Sequence, residues 1–115
     1  MHAELLAAMA GKGADLVAAH RFTPETLAEL HYPLDRARAY ASEAARRSGA
    51  DRPPSLTAFE RLLEAYGEFC AVADEARRAP AAGAEAVRAA AERVRERAAE
   101  THRALVAEGR LALRS

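Results

Sequence analysis

The chain has 115 residues, enough for one core of ordinary size and too few for two, and its 17 basic and 17 acidic side chains cancel. No whole-molecule field draws it towards nucleic acid or an anionic membrane, so a general nucleic-acid binder is disfavoured. A single helical-bundle domain over residues 1–115 is the expectation.

Arginine carries nearly all of the positive charge, with Lys12 the only lysine, and isoleucine, asparagine, glutamine and tryptophan are absent. That bias is the one a GC-rich bacterial genome imposes. Alanine supplies more than half of the 50% hydrophobic content, so the expected core is thin in large side chains. The single cysteine, Cys70, has no internal disulfide partner, and the first residues lack the basic start of a secretory signal. Every apolar run is interrupted by charge well before the ~20 residues that a membrane span needs. A cytoplasmic protein outside the membrane is expected.

Apolar residues recur at helical spacing throughout, with no alternating β-branched stretch. The first helix is expected over about His2 to His20, with Leu6, Met9, Leu16 and Val17 on one face. Gly11 and Gly13 lie inside it and cost roughly 1 kcal/mol each relative to alanine, which makes them a place for a break or a close crossing. The second helix has the clearest start in the chain: Thr23 can cap, Pro24 occupies the first helical position, and Glu25 complements the positive helix end. Phe22 and Leu27 are spaced to staple it. Leu27, Leu30, Leu34, Ala37, Ala41 and Ala44 then continue one stripe past Pro33, which predicts a helix kinked at Pro33 and running to about Arg47. Two helices meeting at the proline are the alternative.

Ser48 to Pro54 reads as a loop, and Thr57 with Glu60 as a capping box opening the third helix. Phe59, Leu62, Leu63, Tyr66, Phe69, Cys70 and Ala73 form its wide apolar stripe, the richest in the chain. Pro80 and Gly83 predict a short break. A long alanine-rich fourth helix follows from about Ala84 to Glu108, roughly 37 Å at 1.5 Å per residue, with Gly109 suited to its C-terminal cap. Its inner face, Ala84, Val87, Ala91, Val94, Ala98, Thr101 and Leu105, keeps a narrow three-four repeat of the coiled-coil kind. The short connections predict an all-α, antiparallel, up-down four-helix bundle.

Chemistry is sparse. Cys70 lies on the apolar stripe and reads as a buried structural thiol, and His31 on the second helix stands at a similar height, so the two could meet inside the bundle. Two ligands do not complete a zinc site, and no histidine has the glutamate three residues earlier that di-iron bundles use. Gly11, Lys12 and Gly13 lack the upstream glycine, hydroxyl residue and strand of a phosphate loop. Paired arginines at Arg46 and Arg47 and at Arg77 and Arg78 fall in last helical turns, where they offset the helix dipole. Arg97 and His102 form an Arg-x4-His pattern that resembles the signature of HEPN ribonuclease domains, small helical bundles that pair two such motifs across a dimer. The resemblance implies a ribonuclease centre built from those two residues. Ala98 stands where that signature usually has a polar residue, and the match covers six positions of the chain.

No catalytic, cofactor-binding or metal residue is assigned, and no cofactor is expected. The thin core and the small-residue seam of the fourth helix point to a non-enzymatic helical interaction module that forms a homodimer or higher homo-oligomer, or binds a partner helix. Val87, Ala91, Val94, Ala98 and Leu105 are its expected contact residues. The alternative is a small helical enzyme or a ligand or metal binder, acting through Arg97 and His102 or through His31 and Cys70.

Overall fold

A computed structural model describes residues 2–109, except for the side chains of residues 80–82. Its four helices are α1 (His2–Ala18), α2 (Pro24–Ser48), α3 (Pro54–Arg78) and α4 (Pro80–Ala107). Among the described residues no helix is long and apolar enough to cross a membrane.

Each helix begins and ends for a local reason. α1 is continuous through both glycines. It closes with a left-handed residue, His20, at φ 59°, while the Arg21 N–H donates to the Leu16 carbonyl at 2.8 Å and the His20 N–H to Val17 at 3.0 Å. That is a Schellman closure with histidine at the position glycine usually takes. At the start of α2 the Thr23 hydroxyl accepts from the Thr26 N–H at 3.1 Å, and Pro24 opens the helix as expected. α2 then passes through Pro33 as one helix and ends at Gly49, whose φ is 59°.

α3 starts a turn earlier than its capping-box signal indicates. Pro53 and Pro54 hold the backbone near the required φ and bring no N–H that would need a partner. Thr57 therefore lies inside the helix, and Glu60 pairs with Arg52 instead of turning back on the helix start. The cap comes from the far end of the chain: the Glu108 carboxylate accepts the Ser55 N–H at 2.8 Å and the Ser55 hydroxyl at 2.7 Å. α4 also starts earlier than expected, at Pro80, with only Ala79 separating it from α3. It ends as expected, with Gly109 at φ 73° donating to Val106.

Contacts along the helices fix their directions. His2 packs on Tyr40, and Gly13 lies beside Leu30, so α1 and α2 run oppositely. Tyr66 reaches Leu30 and Phe59 meets Tyr40, which makes α2 and α3 antiparallel. Ser55 meets Glu108 and Ala76 meets Gly83, and the same follows for α3 and α4. α3 and α4 pack most extensively, α1 lies on α4 and α3, and α2 touches only α1 and α3.

The inner stripes of α2 and α3 follow the expected registers, whereas on α1 Leu6 and Val17 are buried but Met9 and Leu16 are only half-buried. Leu30, Leu34, Ala37 and Ala41 of α2 are buried, as is the whole α3 stripe from Phe59 to Ala73. On α1 the buried set is Ala3, Leu6, Ala10, Gly13 and Val17. Tyr66 is fully buried, and its hydroxyl donates to the Leu30 carbonyl at 2.9 Å, so the one polar atom it carries inward is satisfied.

Two glycines permit close crossings. A Cβ on Gly13 would stand 3.0 Å from Phe69 and 3.3 Å from Leu30. A Cβ on Gly83 would come within 2.2 Å of the Ala76 Cβ and 2.7 Å of its Cα, where backbone rather than a mobile side chain would have to move. Gly11 faces open space. Gly11→Ala should therefore stabilise the fold by up to about 1 kcal/mol through helix propensity. Gly83→Ala should destabilise it by about 1–3 kcal/mol through overpacking, despite the same propensity gain. Urea denaturation of the two variants beside the parent checks the opposite signs, and two shifts of the same sign would refute the close-crossing account.

Candidate functional site

The α4 residues expected to meet another chain are largely used inside this one. Val87, Val94 and Ala98 are buried within the chain, while Ala91 and Leu105 are half-buried. Ala90 joins the buried stripe, and Thr101 is buried with its hydroxyl donating to the Arg97 carbonyl at 2.9 Å. The seam thus supplies the packing of α4 on α3 and α1, the two helices it touches.

His31 and Cys70 lie in different surroundings: His31 is exposed, and Cys70 is 1% exposed in the core. Leu30, the neighbour of His31, is the α2 residue that points inward at this level, where its carbonyl meets Tyr66. Burial pushes the Cys70 thiol up to about 11, with Arg38 opposing that shift. The Tyr66 phenol is also raised, first by burial and then by Cys70. A thiol held protonated and covered is a poor nucleophile. Among the described residues, no group of three or more His, Cys, Asp or Glu is placed to hold a metal ion.

Arg97 and His102 are both on α4, where Arg97 is half-buried and bonded to Glu100 at 3.0 Å and His102 is exposed. Glu92 and Arg95 make another ion pair along α4 at 3.0 Å. At the end of α3, Asp74 binds Arg77 at 2.7 Å and Arg78 at 2.5 Å. Those two hydrogen bonds hold its carboxyl below the usual carboxylate range.

Two of the concave features are lined by exposed tyrosines. At the end of the bundle where α4 finishes, a cavity of about 140 Å³ is lined from all four helices, including Ala3, Tyr40, Phe59 and Leu105. Between α1 and α2 an open groove of about 420 Å³ runs past Leu5, Met9, Glu29, Tyr32, Pro33 and Arg36. Leu5 is 49% exposed, Tyr32 63% and Tyr40 52%. Arg36 donates to the Tyr32 hydroxyl at 2.9 Å, and its guanidinium lies 5.6 Å from the centre of the Tyr32 ring.

Sequence reasoning passed over His2, Leu5, Tyr32 and Tyr40. The available signal was that both tyrosines fall off the Leu and Ala stripe of α2, so aromatic area had to face outward or towards a neighbouring helix end. Comparison with protein-family models, curated proteins and solved structures yields no match for the chain.

The buried acids make alkaline pH destabilising. An unfolded Cys70 ionises near 9.0 and the folded one near 11, so between those values the unfolded chain binds fewer protons and stability falls as pH rises. Tyr66 adds to the fall above its ordinary 10.0. Urea midpoints measured at pH 8 and pH 10.5 should drop for the parent and drop less for Cys70→Ala; equal drops would show that the thiol contributes nothing. Folded protein should also react with iodoacetamide far more slowly than urea-unfolded protein.

Proposed function

We propose that this chain is a non-enzymatic helical interaction module that self-associates through the open face of α1 and α2. The observation that carries this reading is the exposed apolar strip of Leu5 and Tyr32 along the groove that also includes Met9 and Pro33. Apolar and aromatic area of this kind, bordered by charge, is the form that helix-on-groove contacts take.

Charge favours a second copy as the occupant. Glu29 and Arg36 are seven positions apart on α2 and share a face to within about 20°. They bracket Tyr32 and Pro33 symmetrically. Two α2 helices laid antiparallel about a two-fold axis between Tyr32 and Pro33 would set Arg36 of each copy opposite Glu29 of the second copy. Leu5 and Met9 of each copy would then face the Tyr32 ring of the other. Such a surface is self-complementary, as a closed two-fold dimer requires. The exposure of His31 beside the burial of Cys70, and the engagement of Arg97 with Glu100, support a binding role over catalysis.

Light scattering after size exclusion, run across a concentration series, tests the reading. A concentration-dependent dimer is expected. Tyr32→Glu should raise its dissociation constant roughly tenfold or more, as loss of a central aromatic contact does. Glu29→Arg should weaken it by a smaller factor, and adding Arg36→Glu to that variant should restore it. A monomer at every concentration, or a dimer indifferent to Tyr32→Glu, would overturn the proposal.

A further inference from the structure

The end of the bundle where α4 finishes carries a second surface, which shares only His2 with the α1–α2 groove. Three rings, one from each of α1, α2 and α3, gather around its cavity. His2 and Tyr40 have centroids 5.1 Å apart, Tyr40 meets Phe59 edge-on at 6.0 Å, and His2 lies 6.1 Å from Phe59. α4 closes the space with Thr101 and Leu105. His2 and Tyr40 are exposed and Phe59 is buried, so the aromatic lining runs from the mouth inward.

The three Ser and Thr hydroxyls of the lining are already engaged, which leaves the Tyr40 hydroxyl and the His2 ring, both at the mouth, as its other polar side-chain groups. The Ser48 hydroxyl donates to the Ala44 carbonyl at 2.8 Å, the Thr101 hydroxyl to the Arg97 carbonyl at 2.9 Å, and the Ser55 hydroxyl to Glu108 at 2.7 Å. Among the described residues, every buried side-chain nitrogen and oxygen has a partner. Inward of His2 and Tyr40 the lining therefore offers no spare hydrogen-bond donor to a polar guest, and the Glu108 carboxylate next to the Ser55 wall disfavours an anion. Size gives the second constraint: the cavity measures about 140 Å³. Apolar cavities of about 150 Å³ stay dry and admit a benzene-sized molecule. A ring also suits the edge-to-face geometry of Tyr40 and Phe59.

We infer that this cavity is a binding site for a small, neutral molecule with a single aromatic ring, its apolar body held between Phe59, Leu105 and Ala44 and its outer edge beside Tyr40 and His2. The site is built by all four helices and is absent from any one of them. Apart from His2 at the mouth, its lining is separate from the α1–α2 face proposed to pair with a second copy.

Toluene is the probe, with benzoate as its charged counterpart, and the readout is the aromatic and methyl resonances of the full chain in a titration. Toluene should shift the Tyr40, Phe59 and Leu105 signals saturably, with a dissociation constant on the order of 0.1–1 mM for so few atoms. Benzoate should bind at least tenfold more weakly. Ala44→Leu, which fills the cavity, should weaken toluene binding tenfold or more while the helical circular dichroism is kept. Leu105→Phe fills the same space from α4 and stands in if Ala44→Leu fails to fold. No saturable shift up to the solubility limit of toluene, equal binding of benzoate, or shifts that persist in a folded filled variant would overturn the inference.

Discussion

Helix α3 is clamped to α4 at both ends, and the rest of the bundle is arranged on that pair. At one end Gly83 lets the start of α4 cross against Ala76 with only the Ala76 methyl between the backbones. At the other, Glu108 from beyond the end of α4 caps the first turn of α3 through both the N–H and the hydroxyl of Ser55. A carboxylate at a helix N-terminus gains from the helix dipole as well as from its hydrogen bonds. Small residues such as Ala73, Ala76, Ala90 and Ala98 keep the two helices close along the length between. In this pairing a core with few large side chains is covered by the close approach of two helices.

α2 stands in contrast to that tight pair. It rests on α1 and α3 alone, and its hold depends on the Leu30 to Ala41 stripe and on the Tyr66 hydroxyl reaching the Leu30 carbonyl. Leu30 lies one turn before Pro33, in the stretch where the proline leaves the Glu29 carbonyl without its helical donor. The face that α2 shares with α1 is correspondingly open, and Tyr32 and Leu5 stand on it in solvent. The same shallow association, continued to the far end of α2, leaves the cavity under Tyr40. Both candidate sites thus draw on the exposed side of α2.

The candidate sites were barely legible in the sequence. Isolated residues with reactive side chains drew attention to Cys70, His31, Arg97 and His102, but the fold buries the first, exposes the second and ties Arg97 to Glu100. The α4 seam was expected to meet a second copy or a partner helix. Which helix packs on it is a tertiary matter, and Val87, Val94 and Ala98 are covered within the chain. Conversely, the aromatic cluster of His2, Tyr40 and Phe59 draws one residue from each of three helices, so no window of sequence contains it.

The sequence by itself determined the helices and their inward faces, because periodicity, proline, glycine and capping residues act within a few positions of one another. The Thr23 cap, the unbroken stripe past Pro33, the α3 stripe and the Gly109 terminus are all local and appear as expected. Tertiary structure alone decided that α3 is capped by Glu108 and not by its own Thr57 and Glu60, and that Gly13 and Gly83 mark close crossings and not breaks. It also decided which apolar residues remain outside. The physical reason is the same in each case: a cap, a crossing or a cavity depends on groups dozens of residues apart in the chain, and their meeting is set by packing that no local propensity encodes.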